Sequence, residues 1–535
     1  MSELPRYFLG FDSSTQSFKA TIVDEGLKVV YERAVNFDAD LPEFKTQGGV
    51  HRHADGLTVT SPTILWVAAL DLLLERMRGD GAPLAQVRAI SGSGQQHGSV
   101  WLNNKAQGAL RGLGATMSLR EQLAGIFSVA DSPIWMDSST GEQCAALEKA
   151  LGGAQRVAEL TGSRATERFT GNQIAKIHQT QPQAYEATAR IALVSSFMAS
   201  LLIGDFAPID ASDGAGMNLM DLRLKKWASE ALRATAPELE RRLGAIVASH
   251  TDVGPLHDYF VKRHGFAANC RVVAFSGDNP CSLAGLRLAE AGDLAISLGT
   301  SDTLFGTLTE PKPSASEGHM FASPVDPDGY MAMICRKNGS LTREAVRDRA
   351  AGGSWETFNT MLAQTPPGNN GRIGIYVREA EITPPIQRTG EYRFNGAGRA
   401  VGSFSNVEEV RAVLESQFMS MRLHGQNVGL KPARLIATGG ASVNPALLRV
   451  AADVFGTPVY VAGKADSASL GAAYRALHGF RCREVGRVVP FQLVFANATP
   501  FRKAVDPDAA AHGVYTELLA RFEEVERALA GGGAG

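Results

Sequence analysis

Apolar residues near the amino terminus form two short runs separated by a polar turn. Phe8 to Phe11 is apolar and ends at Asp12, and Phe18 to Val23 forms the second run. Only serine, threonine and glutamine occupy positions 13–17. Runs of this length bounded by turn-forming residues predict two antiparallel strands, and the alternating stretch Val29 to Phe37 predicts a third.

A second strand–turn–strand unit lies past the middle of the chain. Residues 293–298 are mostly apolar, 299–302 are turn formers, and 303–308 again have the pattern of a strand. This unit repeats the plan of the amino terminus, as a pattern and not as sequence identity. We therefore predict two α/β domains of one plan, 1–290 and 291–535, with the boundary near residue 290.

Further strands alternate with segments of helical character, which is typical of an α/β protein. Ser61-Pro62 is predicted to act as the N-cap and first-turn pair of a helix that ends near residue 79. Residues 110–260 are predicted to be mainly helical, and the glycine-rich tail is expected to fray. The other predicted elements are strands 87–90, 271–275, 434–438 and 458–461, and helices from 278 to about 289, 407–424, 444–455 and 466–477.

Length, net charge, apolar runs and cysteine spacing argue against several classes of protein. A chain of 535 residues is too long for one hydrophobic core, and its formal net charge of -2 offers no strong field to nucleic acid or an anionic membrane. The amino terminus has no signal-peptide pattern, and the longest apolar runs, such as Ile64 to Leu70, are too short to span a bilayer. Five scattered cysteines without a CxxC pair argue against a disulfide framework and a zinc site. We expect reduced thiols and a cytoplasmic protein.

The usual nucleotide-binding signatures are absent from the sequence. There is no GxxxxGK[ST] motif, and the stretch from Gly92 fails to match GxGxxG because His97 takes the place of the third glycine. Backbone N–H groups and short hydroxyls in tight β-turns bind phosphate in another way. One polar turn alone would be an ordinary hairpin, but two such turns at the heads of two domains favour phosphate binding.

Three other positions have the chemistry of a phosphate site. Asp12 is compatible with phosphate if a magnesium ion lies between them, and Lys19 adds a positive charge. Gly439-Gly440, between a strand and a helix, allows a ligand to approach the backbone closely. Asn444 at the next helix start is a candidate N-cap.

Asp278 has two interpretations that the residues alone leave open. It follows an apolar strand and begins a predicted helix, so it is either the N-cap of that helix or a base facing a substrate. The glycines that flank Gln95-Gln96-His97 favour an exposed loop and a binding role for His97. Arg168 by itself would be an ordinary surface ion pair.

Three segments, in this order and spacing, resemble the FGGY family of carbohydrate kinases, which belongs with actin, Hsp70 and hexokinase. Residues 11–19 and 296–301 are similar to the family's two phosphate segments, and 437–444 to its adenosine segment. The resemblance covers nearly the whole chain. It implies a two-domain, ribonuclease H-like α/β fold with the active site in a cleft between the domains, and it implies ATP and Mg²⁺.

The sugar-side segments resemble those of family members that act on the ketopentose D-xylulose, in the longer form found in animals. These segments are Leu41 to Phe44, Thr46 to His51, Gly94 to Ser99, Trp135 to Thr140, Glu167 to Gln173 and Gly277 to Pro280. Many bacterial members have Gln-Met-His-Gly where this chain has Gln95-Gln96-His97-Gly98, which leaves the role of Gln96 open. The resemblance implies phosphorylation of the 5-hydroxyl of D-xylulose, which feeds the pentose phosphate pathway.

The resemblance also implies roles for individual residues. Asp278 would be the general base, and Asn279, His97 and Arg168 would hold the sugar together with it. Asp12 would position Mg²⁺ through water. The residues implied at ATP are Asp12, Thr15, Lys19, Gly299, Thr300, Trp355, Gly439, Gly440, Ala441 and Asn444.

Several alternatives remain. A related kinase could act on D-ribulose, glycerol or gluconate, and the sugar-side segments, not the ATP-side ones, discriminate among these substrates. A non-catalytic sugar or nucleotide sensor on the same fold is disfavoured by the intact Asp278. An actin-like polymer or a chaperone ATPase would not explain the segment 94–99 together with Asp278-Asn279. We expect small-molecule substrates, no nucleic acid, no membrane, and a monomer or homodimer.

Overall fold

The computed structural model describes residues 5–462 and 467–531, which form two compact units. The first unit comprises Met1–Ala289, Met320–Tyr330 and Asp466–Thr499. The second comprises Glu290–His319, Met331–Ala465 and Pro500–Gly535. Each unit is built around a mixed sheet covered by helices, so the predicted α/β class is confirmed.

The sheet of the first unit contains the predicted amino-terminal hairpin. Its strands lie in the order Asp252–Pro255, Arg271–Val273, Val87–Gly94, Tyr7–Ser13, Ser17–Asp24 and Val29–Asn36, and Ser276–Gly277 also pairs with Val87–Gly94. Tyr7–Ser13 runs antiparallel to Ser17–Asp24, with Ser13 opposite Phe18, and parallel to Val87–Gly94. The parallel centre of the sheet is where the polar strand ends meet.

Helices cover the sheet of the first unit, and the first strand is buried along nearly its whole length. Thr63–Gly79 packs on the hairpin and its third strand, Val194–Ile203 on Val87–Gly94, and Ser467–Val485 on both central strands. The helix Ser467–Val485 lies so close to the first strand that a Cβ on Gly10 would be 2.0 Å from the carbonyl oxygen of Ser469. Glycine at position 10 is therefore required by the contact between helix and sheet.

The second unit repeats this plan. Its strands lie in the order Tyr330–Arg336, Asp302–Leu308, Asp293–Leu298, Arg434–Thr438, Val459–Val461 and Arg502–Val505. Asp293–Leu298 runs antiparallel to Asp302–Leu308, with Leu298 opposite Asp302, and parallel to Arg434–Thr438. The second predicted strand–turn–strand unit is therefore confirmed, and its first strand again leads into a parallel centre.

The structure contains further strands and helices besides those named above. The other strands are His51–Arg52, Val59–Pro62, Ser99–Asn103, Phe127–Val129, Asp131–Pro133, Thr188–Leu193, Ile209–Asp210, Met220–Asp221, Lys226–Trp227, Ile246–Val247, His319–Ala322, Ile373–Val377 and Gly390–Phe394. The other helices are Phe37–Asp40, Ala106–Arg111, Leu119–Leu123, Gly141–Leu151, Ala154–Thr161, Thr170–Thr180, Pro182–Glu186, Ala211–Gly214, Ser229–Thr235, Leu239–Leu243, Asp258–His264, Asp278–Gly285, Ser340–Ala350, Trp355–Leu362, Asn406–Asn427, Pro445–Phe455 and Ala509–Ala530.

Several predicted boundaries are wrong. Ser61 is not an N-cap, because its hydroxyl donates to the carbonyl of Gly49 and the helix begins at Thr63. The strand predicted over 87–90 continues to Gly94, and the helix predicted to reach about 289 ends at Gly285. The predicted start of the helix 466–477 and the tail 532–535 lie outside the described residues.

No helix in the ranges 5–462 and 467–531 has the length and apolar character needed to cross a membrane. Cys144, Cys270, Cys281 and Cys482 are buried thiols.

Candidate active site

Three neighbouring parallel strands of the first unit end at one edge of its sheet, in register. Asp12 lies opposite Ser93, and Ser93 lies opposite Ser276. One residue further along, the strands reach Ser13, Gly94 and Gly277. The segments that follow, 95–97 and 278–279, therefore leave the sheet at the edge where Asp12 lies, and the carboxyl edge of a parallel sheet is the usual place for ligands in α/β proteins.

Asp278 is the first residue of the helix Asp278–Gly285, and Gly277 is its N-cap. The interpretation of Asp278 as an N-cap is therefore wrong. Its Oδ1 accepts from the backbone N–H of Asn279 at 2.9 Å. Desolvation raises the pKa of Asp278 to about 6, although hydrogen bonds from the backbone of Asn279 and Gln96 oppose the rise. A carboxylate with this pKa is ionised at neutral pH and basic enough to accept a proton during a reaction.

His97 is buried, 7% exposed, and not in an exposed loop as predicted. The strand Val87–Gly94 extends further than expected, so the turn after it packs under the helix Thr170–Thr180. Thr170 donates through Oγ1 to the carbonyl of His97 at 2.9 Å, and the imidazole stacks on Phe169 with ring centroids 4.4 Å apart. His97 Nδ1 lies 2.8 Å from the carbonyl oxygen of Gly216, which can only accept, so Nδ1 carries a proton and donates.

Arg168 does not form the surface ion pair that an isolated arginine would suggest. Over the described ranges it pairs with no carboxylate, and its guanidinium lies 6.0 Å from the ring centroid of Trp135. Its loop is fixed by Thr140 Oγ1, which donates to the carbonyl of Glu167 at 2.6 Å. The segments 135–140 and 167–173, far apart in sequence, therefore meet around a half-buried guanidinium that has no anionic partner.

The first polar turn lies beside this loop. The indole N–H of Trp135 donates to Thr15 Oγ1 at 2.9 Å. Asp12 is 3% exposed and lies directly across the hairpin from Lys19. Directly opposed residues on antiparallel strands have neighbouring side chains, so the carboxylate and the ammonium group share one face of the hairpin.

A magnesium ion is compatible with this donor set. Among residues 5–462 and 467–531, no group of three or more His, Cys, Asp or Glu side chains is arranged to hold a metal ion. Magnesium commonly takes one or two carboxylates and completes its shell with water and substrate phosphates. Asp12, buried at a strand end beside a turn rich in hydroxyls, supplies a carboxylate of that kind.

The polar turn of the second unit is held by a buried ion pair. Arg343 donates to Asp302 Oδ1 at 3.0 Å, and the backbone N–H of Ser340 donates to the carbonyl of Gly299 at 2.9 Å. Thr300 is exposed at the tip of the turn. The ion pair lies beneath the turn, so the hydroxyl and the backbone at its tip remain accessible to a ligand.

The glycine pair after Arg434–Thr438 leaves an open surface. Gly439 has a φ of 85°, and a Cβ there would lie 2.6 Å from the carbonyl oxygen of Leu298. By contrast, a Cβ on Gly440 would meet no atom of the described residues within 4 Å. Gly439 is required by the backbone, and Gly440 leaves room for a flat group to approach.

Asn444 links this glycine pair to a second helix. Its Oδ1 accepts from the backbone N–H of Ala446 at 3.0 Å, so the predicted N-cap is confirmed. Its Nδ2 donates to Asn359 Oδ1 at 3.0 Å, and Asn359 belongs to the helix that begins at Trp355. Trp355 is half-buried, with the guanidinium of Arg347 at 4.8 Å from its ring. Residues 439–444 and the helix Trp355–Leu362 thus form one surface.

Proteins of known name match this chain over nearly its whole length. The protein named "Xylulose kinase" from Mus musculus is 51% identical over 527 residues, which cover 98% of this chain and 94% of the mouse protein. "Xylulose kinase 2" from Arabidopsis thaliana is 51% identical over 542 residues, covering 98% and 97%. The N-terminal domain of the FGGY family of carbohydrate kinases matches residues 129–285, and its C-terminal domain matches 294–480.

The chain belongs to the FGGY family of carbohydrate kinases. It is an enzyme of this class, and ATP is one of its substrates. The crystal structure of the xylulose kinase from Rhodospirillum rubrum has the same fold, with a TM-score of 0.79 at 17% identity, over 98% of this chain and 99% of that one.

In this FGGY kinase the predicted site residues fall into two groups, whose roles remain predictions. The first unit holds Asp12, Thr15, Lys19, His97, Arg168, Asp278 and Asn279. The second unit holds Gly299, Thr300, Trp355, Gly439, Gly440, Ala441 and Asn444.

Sequence reasoning missed three participants. Trp135 is one of them, and a tryptophan beside short polar residues is a recognisable binding signal. Asn359 has no sequence signal, because its partner Asn444 is 85 residues away. Asp213 has none either, because Gln96, which lies beside it, is distant in the sequence. Only the fold brings these pairs together.

Proposed function

We propose that this FGGY kinase transfers the γ-phosphoryl group of ATP to the 5-hydroxyl of D-xylulose, giving D-xylulose 5-phosphate. The observation that carries the proposal is the identity of 51% along nearly the whole chain with relatives named xylulose kinase in an animal and a plant. One fold hosts many substrates, so similarity of fold alone would not choose the sugar. Both relatives' names give the same sugar, and the identity extends over nearly the whole chain.

The proposed base is Asp278. Phosphoryl transfer needs an aligned hydroxyl, neutralised phosphate charge and an acceptor for the hydroxyl proton. The Asp278 carboxylate at the helix start supplies the acceptor. Asn279, His97 and Arg168 would hold the hydroxyls and carbonyl of a neutral sugar, because they offer fixed donors and acceptors at the same sheet edge.

Each unit contributes its own proposed contacts with ATP. In the second unit, Gly440, Ala441 and Asn444 would contact adenine and ribose, together with Trp355 from the neighbouring helix. Gly299 and Thr300 would bind phosphate through backbone N–H and hydroxyl groups. In the first unit, Thr15 and Lys19 would face the phosphates, and Asp12 would hold Mg²⁺, whose charge offsets the negative charge of the phosphates. Residues 1–290 would thus carry the sugar and the base, and 291–535 the nucleoside.

The pKa of Asp278 predicts the acid side of the pH profile. Because the base must be ionised and its pKa is raised to about 6, kcat/KM for the sugar should be constant near neutrality and fall as the pH drops below about 6. Well below that pKa, the fall should be about tenfold per pH unit. Initial rates at saturating Mg-ATP between pH 4.5 and 8 measure this profile. A kcat/KM that stays constant down to pH 5 would contradict the assignment of the base.

Arg168→Ala should raise the KM for D-xylulose by about tenfold or more while leaving the KM for ATP near its original value. A group that holds the sugar equally in the ground and transition states affects KM for that substrate alone, and a charged hydrogen bond is worth roughly 1.5–3 kcal/mol.

Arg164→Ala is the matched control for Arg168→Ala. Arg164 is an exposed arginine four residues earlier, paired with Glu148 at 3.2 Å, and exposed pairs contribute little. Equal KM values for D-xylulose in the two variants would show that Arg168 does not hold the sugar.

The proposed reaction is tested by identifying its product. Enzyme, Mg-ATP and D-xylulose are incubated, and phosphorus and carbon NMR locate the phosphoryl group while ADP is quantified. We expect one ADP per sugar phosphate, with the ester at carbon 5. ADP without a sugar phosphate, or an ester at another carbon, would overturn the proposal.

We also propose that the reaction takes place in the cytoplasm. Four buried thiols, at Cys144, Cys270, Cys281 and Cys482, suit a reducing compartment.

A further inference from the structure

Gln96 lies behind the proposed base and contacts the side chain of its neighbour. Gln96 is 3% exposed, and its Oε1 accepts from Asn279 Nδ2 at 2.8 Å. The same Nδ2 lies 3.1 Å from Asp278 Oδ1. Because Gln96 Oε1 can only accept, it directs the NH₂ group of Asn279 toward Gln96 and Asp278 and leaves Asn279 Oδ1 on the other side.

The other end of the Gln96 amide faces a buried acid, Asp213. Asp213 is 1% exposed, and its Oδ2 accepts from Ser195 Oγ at 2.5 Å. Within the described chain, Asp213 Oδ1 and Gln96 Nε2 are both buried and neither has a hydrogen-bond partner. The amide of Gln96 is near enough to the Asp213 carboxyl to lower its pKa. Since buried polar groups are rarely left unpaired, we infer that these two groups pair with each other.

The backbone before Asp278 packs directly against this pair. A Cβ on Gly277 would lie 2.3 Å from Gln96 Cγ and 2.7 Å from Asp213 Oδ1. A residue with a side chain at position 277 would therefore displace both groups. The strand end that directly precedes Asp278 thus packs against Gln96 and Asp213.

The charge state of Asp213 is compatible with its place near Asp278. Desolvation, together with the negative charges of Asp210 and Asp278, raises the pKa of Asp213 to about 8, against the lowering effect of Ser195 and Gln96. At neutral pH Asp213 is mainly the neutral acid. It can accept a hydrogen bond from Gln96 without placing a second full negative charge beside the base.

We propose that Gln96 is a positioning residue for phosphoryl transfer: its amide bridges Asp213 and Asn279 and so fixes Asn279 beside the Asp278 carboxylate. A methionine fills similar space but cannot form this bridge. The proposal depends on Asp278 being the base. It does not depend on which sugar is phosphorylated.

The first test replaces Gln96 by methionine and by glutamate. Gln96→Met should lower kcat by about tenfold or more, since small misplacements at a reacting centre have large effects, with the KM for ATP unchanged. Without the fixed NH₂ of Asn279, the ionised Asp278 loses one hydrogen bond. The pH below which kcat/KM falls should therefore rise by about half a unit. Gln96→Glu keeps the acceptor for Asn279 and should retain more of kcat than Gln96→Met.

Gln143→Met is the matched control. Gln143 is also buried, 8% exposed, and its Nε2 donates to Gln179 Oε1 at 2.7 Å in the same unit. The Gln143→Met enzyme loses a comparable amide hydrogen bond. It should keep the wild-type kcat and the wild-type pH below which kcat/KM falls. Melting temperatures of all variants show whether they are folded.

A double-mutant cycle with Asn279→Ala isolates the coupling. If Gln96 acts through Asn279, then Gln96→Met should change kcat by less than about twofold in the Asn279→Ala background, because the bridge is already lost. Three results would overturn the proposal: additive losses in the cycle, an effect confined to the sugar KM, or a Gln96→Met enzyme that keeps both the wild-type kcat and the wild-type pH below which kcat/KM falls. Wild-type enzyme that fails to phosphorylate D-xylulose would instead refute the proposed function, and the cycle would be run on the sugar it does phosphorylate.

Discussion

Asp278→Asn should lower kcat by about 10²–10⁴-fold, the usual contribution of a general base, while both substrates still bind. The substitution keeps the size and hydrogen-bonding shape of the side chain and removes only its ability to accept the hydroxyl proton. Because that proton moves as the transition state is reached, the loss falls on kcat and not on the KM of the sugar. Measuring kcat by ADP release and sugar binding by calorimetry on one preparation separates the two effects.

Asp258→Asn is the matched control for Asp278→Asn. Asp258 is also the first residue of a helix in the first unit, with a different residue, His257, as the N-cap. Each change removes a negative charge near a helix amino terminus, which is worth roughly 0.3–1 kcal/mol of stability. We expect wild-type activity in Asp258→Asn. An Asp278→Asn enzyme that is stable, binds D-xylulose and retains more than about a tenth of wild-type kcat would remove Asp278 from the role of base.

Asp12→Ala should make the enzyme require more magnesium and should lower its rate at limiting magnesium by about 10- to 100-fold, as for residues that orient a metal through its outer shell. The physical reason is that Asp12 supplies a buried carboxylate beside the phosphate-binding turn. Rates over a magnesium titration at fixed ATP measure the effect. Asp12→Asn, which keeps the shape and loses the charge, should show a similar shift.

Asp24→Ala is the control for Asp12. Asp24 ends the other strand of the same hairpin, where its Oδ1 accepts from the backbone N–H groups of Gly26 and Lys28 at 2.9 Å each. Removing the Asp24 carboxylate should disturb the turn, and the magnesium requirement should stay at the wild-type value. If Asp12→Ala and Asp24→Ala have the same magnesium titration, Asp12 does not position the metal.

Local patterns were sufficient where local hydrogen bonds decide the structure. Both hairpins form as predicted because short apolar runs and turn-forming residues determine them within about fifteen residues. Asn444 could be predicted as an N-cap because the backbone N–H groups that donate to its side chain lie only two and three residues later.

Tertiary pairing overrode the local pattern elsewhere. Residues 91–94 are serine and glycine, which favour a turn, yet they continue a strand because Ser93 is paired on both sides, with Asp12 and with Ser276. For the same reason the following turn is packed inside the unit, and His97 is buried. Ser61 was predicted to accept from the first N–H groups of a helix, but its hydroxyl instead donates to the carbonyl of Gly49.

The candidate site could be predicted only in part. Asp278 and Arg168 belong to segments that resemble a family, and the structure excludes their ordinary alternatives, the N-cap and the surface ion pair. The placement of Gln96 beside Asp213 was beyond sequence reasoning, since nothing local connects a glutamine after one strand with an acid in the short helix Ala211–Gly214.

The most direct test of the account is a comparison of kcat/KM by coupled ADP release for D-xylulose, D-ribulose, glycerol and gluconate with the same enzyme preparation. We predict that D-xylulose has the highest kcat/KM by at least about tenfold, because a site that hydrogen-bonds particular hydroxyls strongly disfavours analogues that leave its polar groups unpaired. A higher value for any other compound in the panel, or ADP release that does not depend on sugar, would contradict it.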